Sequence, residues 1–272
     1  MSEIDVEGNV IIITGAASGI GRKIAEKMAS EGAHVAIADI QEEKGKQVAE
    51  KLTSANPGTA TFYQTDVTSP ESDRHLAEAV EEDLGPIDAL VNNAGVNVPR
   101  LLVDPAGKEE IDQNSVDTMI SVNMKGTLYC TQAVTRRMID AGRDGVIINM
   151  ASESGLEGSE GQSVYAATKA ALYSFSRSWA KELGKHDIRV VGIAPGILEE
   201  TELRDEGYEK SLAYTRGITV KELREGYEEA AVPLERVGKL QEVADVVCFL
   251  ASGMASYITG TVINVSGGKS RA

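Results

Sequence analysis

Two cysteines in the whole chain, Cys130 and Cys248, cannot build a disulfide framework, and neither belongs to a CxxC pair or to a cysteine and histidine cluster with metal-ligand spacing. Two buried thiols in a reducing compartment are expected instead. Histidine is as scarce. His34, His75 and His186 fall at expected helix termini or in loops without partners, so no metal and no histidine base is anticipated. Positive charge is short too: 27 Lys and Arg stand against 42 Asp and Glu, a formal net charge of −15. Nucleic acid and anionic membrane surfaces would be repelled at long range, and any anionic ligand must be held by local donors. No apolar run approaches the roughly 20 residues of a membrane span. The acidic start "MSEIDVEGN" lacks the basic and apolar regions of a signal peptide, so the expected location is cytoplasmic.

No internal repeat and no linker rich in Pro and Gly divides the chain, and residues 1–272 are read as a single domain. What is present is an alternation. Short β-branched runs, "NVIIITG", "HVAIADI", "ATFYQTDV", "IDALVNNAG", "GVIINMAS", "IRVVGIAPG" and "TVINVSGG", are separated by longer amphipathic stretches such as "GRKIAEKMASEG" and "NSVDTMISVNMKGTLYCTQAVTRRMIDAG". That is the pattern of βαβ units, and it predicts an α/β fold with a seven-stranded parallel sheet. The alternation stalls only at residues 197–238, a charged, Tyr-rich segment with a helical pattern. An insertion after the carboxyl end of a strand lies where such sheets bind ligands, and it is expected to be a lid.

The first βα turn, "TGAASGIG", places Gly15, Gly19 and Gly21 between a strand and a helix. Glycines there let the backbone turn tightly and approach a pyrophosphate at the helix N-terminus. Asp39 ends the second strand, 18 residues after Gly21. A carboxylate at that point accepts hydrogen bonds from ribose hydroxyls and repels a 2′-phosphate, so NAD is expected over NADP. Ser18 before Gly19 and Ile40 after Asp39 supply no basic residue that would favour the phosphate.

Tyr165 and Lys169 lie four positions apart, on one face of an expected helix. A free phenol, with a pKa of about 10, is a poor base at neutral pH, and a nearby ammonium favours the phenolate. Ser152, 13 residues before Tyr165, ends a strand and would present a hydroxyl across the cleft. Trp179 and Tyr173, on the same helix, are read as core or subunit contacts.

The "TGAASGIG" turn, "NNAG" at residues 92–95, Ser152 and "YAATK" at residues 165–169, in this order and spacing, resemble the short-chain dehydrogenase/reductase family over nearly the whole chain. The resemblance implies a Rossmann fold with strand order 3-2-1-4-5-6-7, NAD as cofactor, and a homotetramer or dimer. It implies catalytic roles for Ser152, Tyr165, Lys169 and Asn123, the last holding a proton-relay water. It assigns Ser18, Ile20 and the three turn glycines to the cofactor, with Asp39 and Ile40 at the ribose, and Asp66 and Val67 bracketing the adenine. Asn92, Asn93, Ala94 and Gly95 would line the cleft, Lys169 would bond the nicotinamide ribose, and Pro195, Gly196 and Ile197 would border the nicotinamide.

Two positions depart from the family pattern. Glu200 stands where a Thr usually follows the Pro-Gly pair, with Thr201 next to it, and Ser266 replaces the Asp of the C-terminal turn. The loops "NVPRLLVDP", "GLEGSEGQS" and "AYTRGITV" resemble the branch that oxidises sorbitol 6-phosphate to fructose 6-phosphate. For such a substrate, Arg100, Arg204 and Arg216 are the candidate phosphate ligands, and Ser154, Glu157, Ser159 and Gln162 the candidate polyol contacts. An unphosphorylated polyol, acetoin or another 3-oxo compound remains open as substrate, as does a non-catalytic dinucleotide sensor.

Overall fold

In β1 (Val10–Thr14) every side chain is buried, because a central strand of a parallel sheet is covered on both faces and reads as a continuous apolar run. The computed structural model, which describes residues 5–228 and 232–269, contains seven parallel strands in the order β3-β2-β1-β4-β5-β6-β7. The others are β2 (His34–Asp39), β3 (Thr59–Gln64), β4 (Ile87–Asn92), β5 (Gly145–Met150), β6 (Ile188–Pro195) and β7 (Val262–Val265). Fold class and strand order are as expected.

Alternation along β1 divides the core in two. Ile11 and Ile13 pack with Ile24 and Met28 of α1 (Gly19–Ser30), Leu52 of α2 (Glu42–Ala55) and a group that ends at Val247 and Leu250. Val10 and Ile12 point the other way, onto Leu76 and Val80 of α3 (Pro70–Leu84) and onto Cys130, Val134 and Met138. Each fully buried Ile or Leu contributes about 1.5–3 kcal/mol. Both cysteines are buried and unpaired.

The segment read as one helix after β4 is interrupted. It runs as α4 (Gln113–Ile120), a π-helical turn over Ser121–Gly126, and α5 (Thr127–Asp140). The wide turn surrounds Asn123, whose Oδ1 accepts from the Val96 N–H at 2.8 Å while Nδ2 donates to the Val96 carbonyl at 2.9 Å and to Thr168 Oγ1 at 3.0 Å. A π-turn takes up one extra residue where side-chain bonds hold the backbone off the regular ladder. The histidines also differ from expectation. His34 opens β2 with Nδ1 2.8 Å from Thr59 Oγ1, and His75 lies inside α3.

After β5 come the single turn α6 (Ser154–Glu157) and the long α7 (Ser163–Leu183). The excursion after β6 carries α8 (Glu206–Thr215) and α9 (Val220–Glu228), with a small core of Leu212, Ala213 and Leu223 between them. Its base is closed where the Gly238 N–H donates to the Ile197 carbonyl at 3.0 Å and the Glu199 N–H to the Gly238 carbonyl at 2.8 Å. The chain then returns through α10 (Leu240–Ala251), which packs on α1 and supplies Val247 and Leu250 to the core.

Candidate active site

The carboxyl ends of the central strands open onto one cavity of about 850 Å³, whose far wall is α8 and α9. Gly15, Ser18, Gly19, Ile20, Asp39, Ile40, Asp66, Val67, Asn93, Ala94, Gly95, Pro195, Gly196 and Ile197 all line it, as do Ser152, Tyr165 and Lys169.

The β1–α1 turn admits only glycine at two points. Gly15 has φ +65°, and a β-carbon there would lie 2.9 Å from the Ala94 Cα; at Gly21 it would lie 2.3 Å from the Gly15 carbonyl oxygen. Asn93 holds the turn from below, its Nδ2 donating to the Thr14 and Gly15 carbonyls at 3.0 and 3.1 Å. Ser18 caps α1 without a side-chain bond, so the first-turn N–H groups, which lack intrahelical partners, suit an anion. Asn92 does not belong here. It is buried, donating to Thr131 Oγ1 at 2.8 Å and Asn149 Oδ1 at 2.9 Å.

Asp39 is almost fully buried. Its two oxygens accept from the Ala17 and Gln41 N–H groups, each at 2.9 Å. A carboxylate has about four lone-pair sites, so capacity remains for ribose hydroxyls. Asp66 Oδ1 is occupied by the N–H and hydroxyl of Thr68. Thr201, which could take over the role of the family's Thr after the Pro-Gly pair, lines the cavity with its Cβ 3.7 Å from where a β-carbon on Gly19 would be.

At the other end of the cofactor half, Lys169 is buried, and its Nζ donates to the Met150 carbonyl at 2.7 Å. Burial lowers its pKa to about 8. The ammonium has three protons, and the Met150 carbonyl is the one acceptor found among the described residues. A ribose diol supplies the partners such a buried cation lacks, and Gly95, where a β-carbon would stand 3.4 Å from Lys169 Nζ, leaves room for it. Residues and dinucleotide fit. Asn123 does not line the cavity, because its side chain is spent on Val96 and Thr168.

Lys169 Nζ sits 5.8 Å from the centre of the Tyr165 ring. The sequence suggested a lowered phenol, but burial pushes Tyr165 up to about 12, and a hydrogen bond with the Ser152 side chain opposes this only in part. The hydroxyls form a short series: Ser154 Oγ donates to Ser152 Oγ at 2.9 Å, which leaves the Ser152 proton for Tyr165. Tyr173, read as a core residue, donates its hydroxyl proton to the Ser152 carbonyl at 3.0 Å and so fixes the serine from behind. Trp179 stacks on Phe175 with centroids 4.5 Å apart, remote from this chemistry. A phenol, a hydroxyl donor and an ammonium thus converge where a substrate oxygen could exchange a proton.

The arginines separate. Arg100 does not reach the cavity, because Glu109 and Asp112 hold its guanidinium in ion pairs. Arg204 and Arg216 both line the cavity, and neither has a carboxylate within ion-pair distance among the described residues. Arg204 stacks over Tyr227 at 4.1 Å, donates to the Leu198 carbonyl at 3.0 Å, and has a buried Nε without a hydrogen-bond partner among the described residues. Ser154, Glu157, Ser159 and Gln162 line the same region, joined by two residues no motif signalled, Tyr208 and Tyr227. Lys269 pairs with Glu153 at 2.5 Å, tying the C-terminal turn to the loop after β5, and Ser266 packs against Gly196.

The profile of the family described as short chain dehydrogenase matches residues 9–211. The chain is 52% identical to the sorbitol-6-phosphate 2-dehydrogenase of Klebsiella pneumoniae over 98% of each chain. It is 39% identical to the sorbitol dehydrogenase of Cereibacter sphaeroides, covering 97% of this chain and 98% of that one. Among solved structures, the 3-ketoacyl-(acyl-carrier-protein) reductase of Brucella melitensis complexed with NADH superposes with a TM-score of 0.83 at 29% identity, covering 98% of this chain and all of the other.

Proposed function

This chain belongs to the short-chain dehydrogenase/reductase family, and on that premise we propose that it oxidises D-glucitol 6-phosphate (D-sorbitol 6-phosphate) to D-fructose 6-phosphate with NAD. The observation that carries the reading is the pair Arg204 and Arg216. In a protein of net charge −15, two guanidiniums line the cavity without an ion pair to any carboxylate among the described residues, and a charge so held suits a phosphate. The 52% identity to the Klebsiella enzyme supports the same substrate.

In this reading Tyr165 takes the proton of the substrate hydroxyl, and Ser152 donates to the same oxygen as charge develops on it. A dinucleotide held by the β1–α1 turn, Asp39 and Lys169 would supply the hydride acceptor for the carbinol carbon. Lys169 favours the phenolate and bonds the ribose, while Asn123 acts by holding Val96 and α7 in register. Asp39 selects NAD by accepting from the ribose hydroxyls where a 2′-phosphate would meet like charge. The excursion after β6, through α8 and α9, serves as the lid over the substrate.

Oxidation of unphosphorylated glucitol is the second reading, favoured by the similarity to the Cereibacter enzyme. Initial rates of NADH formation with D-glucitol 6-phosphate and with D-glucitol separate the two. A preference of about a hundredfold for the phosphorylated polyol, about 2.7 kcal/mol, is expected; equal rates would transfer the assignment to the neutral polyol.

A further inference from the structure

Tyr208, on the first turn of α8, accepts a hydrogen bond from Gln162 Nε2 at 2.7 Å. Gln162 Oε1 accepts from Ser159 Oγ at 2.6 Å, and Ser159 Oγ accepts from Arg216 at 3.2 Å. The far end fixes the direction of this series. A guanidinium can only donate, and in the structure Ser159 accepts from it while its own proton goes to the Gln162 carbonyl oxygen. The amide nitrogen is then left for Tyr208, whose oxygen is the acceptor. Its own proton has no acceptor among the described residues, and the ring lines the cavity.

Gln162 is held to this task at a local cost. It occupies the N-cap of α7, where Ser, Thr, Asp or Asn would accept from a first-turn N–H, and it makes no such bond. The side chain is 8% exposed, and its donor and acceptor ends are both committed to the series. Tyr208 lines the cavity together with Tyr165, Tyr227, Arg204 and Arg216. Its phenol is close enough to feel Tyr227, Tyr165 and Arg216, and burial, the largest influence, keeps it protonated.

We propose that Tyr208 is a specificity-determining residue whose hydroxyl donates to a hydroxyl of the substrate chain, between the carbon that reacts at Tyr165 and the anionic group at Arg204 and Arg216. Gln162 is the positioning residue that sets the direction of that proton. A substrate without a hydroxyl there leaves a buried donor unpaired, and such sites reject the deficient analogue far more strongly than an apolar pocket rejects a missing methylene. The inference rests on the polyol phosphate reading for its geometry.

The test compares wild type, Tyr208→Phe and Gln162→Leu at saturating NAD on D-glucitol 6-phosphate, D-glucitol and a monohydric secondary alcohol, with NADH binding followed by fluorescence. Tyr208→Phe is expected to lose about tenfold to a hundredfold in kcat/KM on each polyol that the wild type oxidises. On the monohydric alcohol, which leaves that donor unpaired in the wild type, it should hold or gain, with NADH affinity retained. Gln162→Leu should show the same selectivity with a smaller loss. Equal losses on polyols and on the monohydric alcohol would mean a structural role and overturn the proposal, as would unchanged rates on the polyols. If the wild type ignores D-glucitol 6-phosphate but oxidises another polyol, the substrate reading fails, and the comparison on that polyol still decides the role of Tyr208. Should Tyr208→Phe fail to bind NADH, Gln162→Leu decides by the same selectivity.

Discussion

Lys169 gives one proton to the Met150 carbonyl oxygen at 2.7 Å, and that bond anchors the ammonium 5.8 Å from the centre of the Tyr165 ring. The phenol above it is held at about 12 by burial, so the protein must draw it down through charge. Alcohol oxidation needs the phenolate, so kcat/KM for oxidation is expected to rise with pH. Carbonyl reduction uses the phenol and should fall across the same pKa. Lys169→Met removes the cation that favours the phenolate and should move the rising limb to higher pH. Tyr165→Phe should lower kcat by about 10²–10⁴-fold with NADH binding kept. Profiles of wild type and Lys169→Met that superpose would remove Lys169 from this role.

Arg204 and Arg216 give a prediction about substrate charge. Arg204→Ala should raise KM for the phosphorylated polyol by about tenfold to a hundredfold, the scale of a lost charge-assisted bond of about 1.5–3 kcal/mol. It should leave the rate on the neutral polyol nearly unchanged. Arg100→Ala should affect neither substrate, because its guanidinium faces Glu109 and Asp112. Steady-state kinetics on both polyols checks all three statements.

The fold was legible because β-branched runs and amphipathic stretches alternate at βαβ spacing, and the glycine turn was legible because Gly15 and Gly21 sit where no β-carbon fits. The π-turn was not. It coincides with the bonding of Asn123 to Val96 and Thr168, partners 27 and 45 positions away that no local pattern announces. Arg100, Arg204 and Arg216 looked alike in sequence, and only the fold decides which of them meets a carboxylate. The Tyr-rich segment was legible as a lid, but Tyr208 and Tyr227 were not singled out within it, because no periodicity says which faces of α8 and α9 close a cavity.

Asp39 yields a prediction about the cofactor. Asp39→Ala removes the ribose acceptor and the repulsion of a 2′-phosphate together, so KM for NAD should rise by about tenfold while that for NADP falls. The change also removes the acceptor of the Ala17 and Gln41 N–H groups, which should cost about 1–3 kcal/mol of stability. Adding Ile40→Arg should lower KM for NADP further, because Ile40 is 64% exposed at the cavity wall and has space for a longer side chain. Kinetics with both dinucleotides, beside a thermal melt, separates the two effects.

Asp73 predicts how stability depends on pH. Its side chain is buried in α3, and among the described residues no N–H or O–H group donates to either carboxyl oxygen, the weak donor Cys130 thiol being the one hydrogen-bonding group that bears on it. Burial raises its pKa from 3.8 to about 8; Asp66 adds like charge, and the Cys130 thiol counters the shift in part. The folded state therefore holds the proton more tightly than the unfolded chain. The stability this confers is fully present below about pH 4 and is lost as pH rises through about 8. Urea midpoints of the wild type should fall between pH 5 and pH 9, by an amount on the order of 1–3 kcal/mol, the scale for desolvating an unpaired polar group. Asp73→Asn keeps the shape and cannot ionise, so its stability should stay level through the window where the wild type declines. The slope carries the prediction, because a buried amide brings a cost of its own that does not change with pH. Parallel declines in the two proteins would show that other groups set the pH dependence and that the Asp73 carboxyl finds a partner in solution.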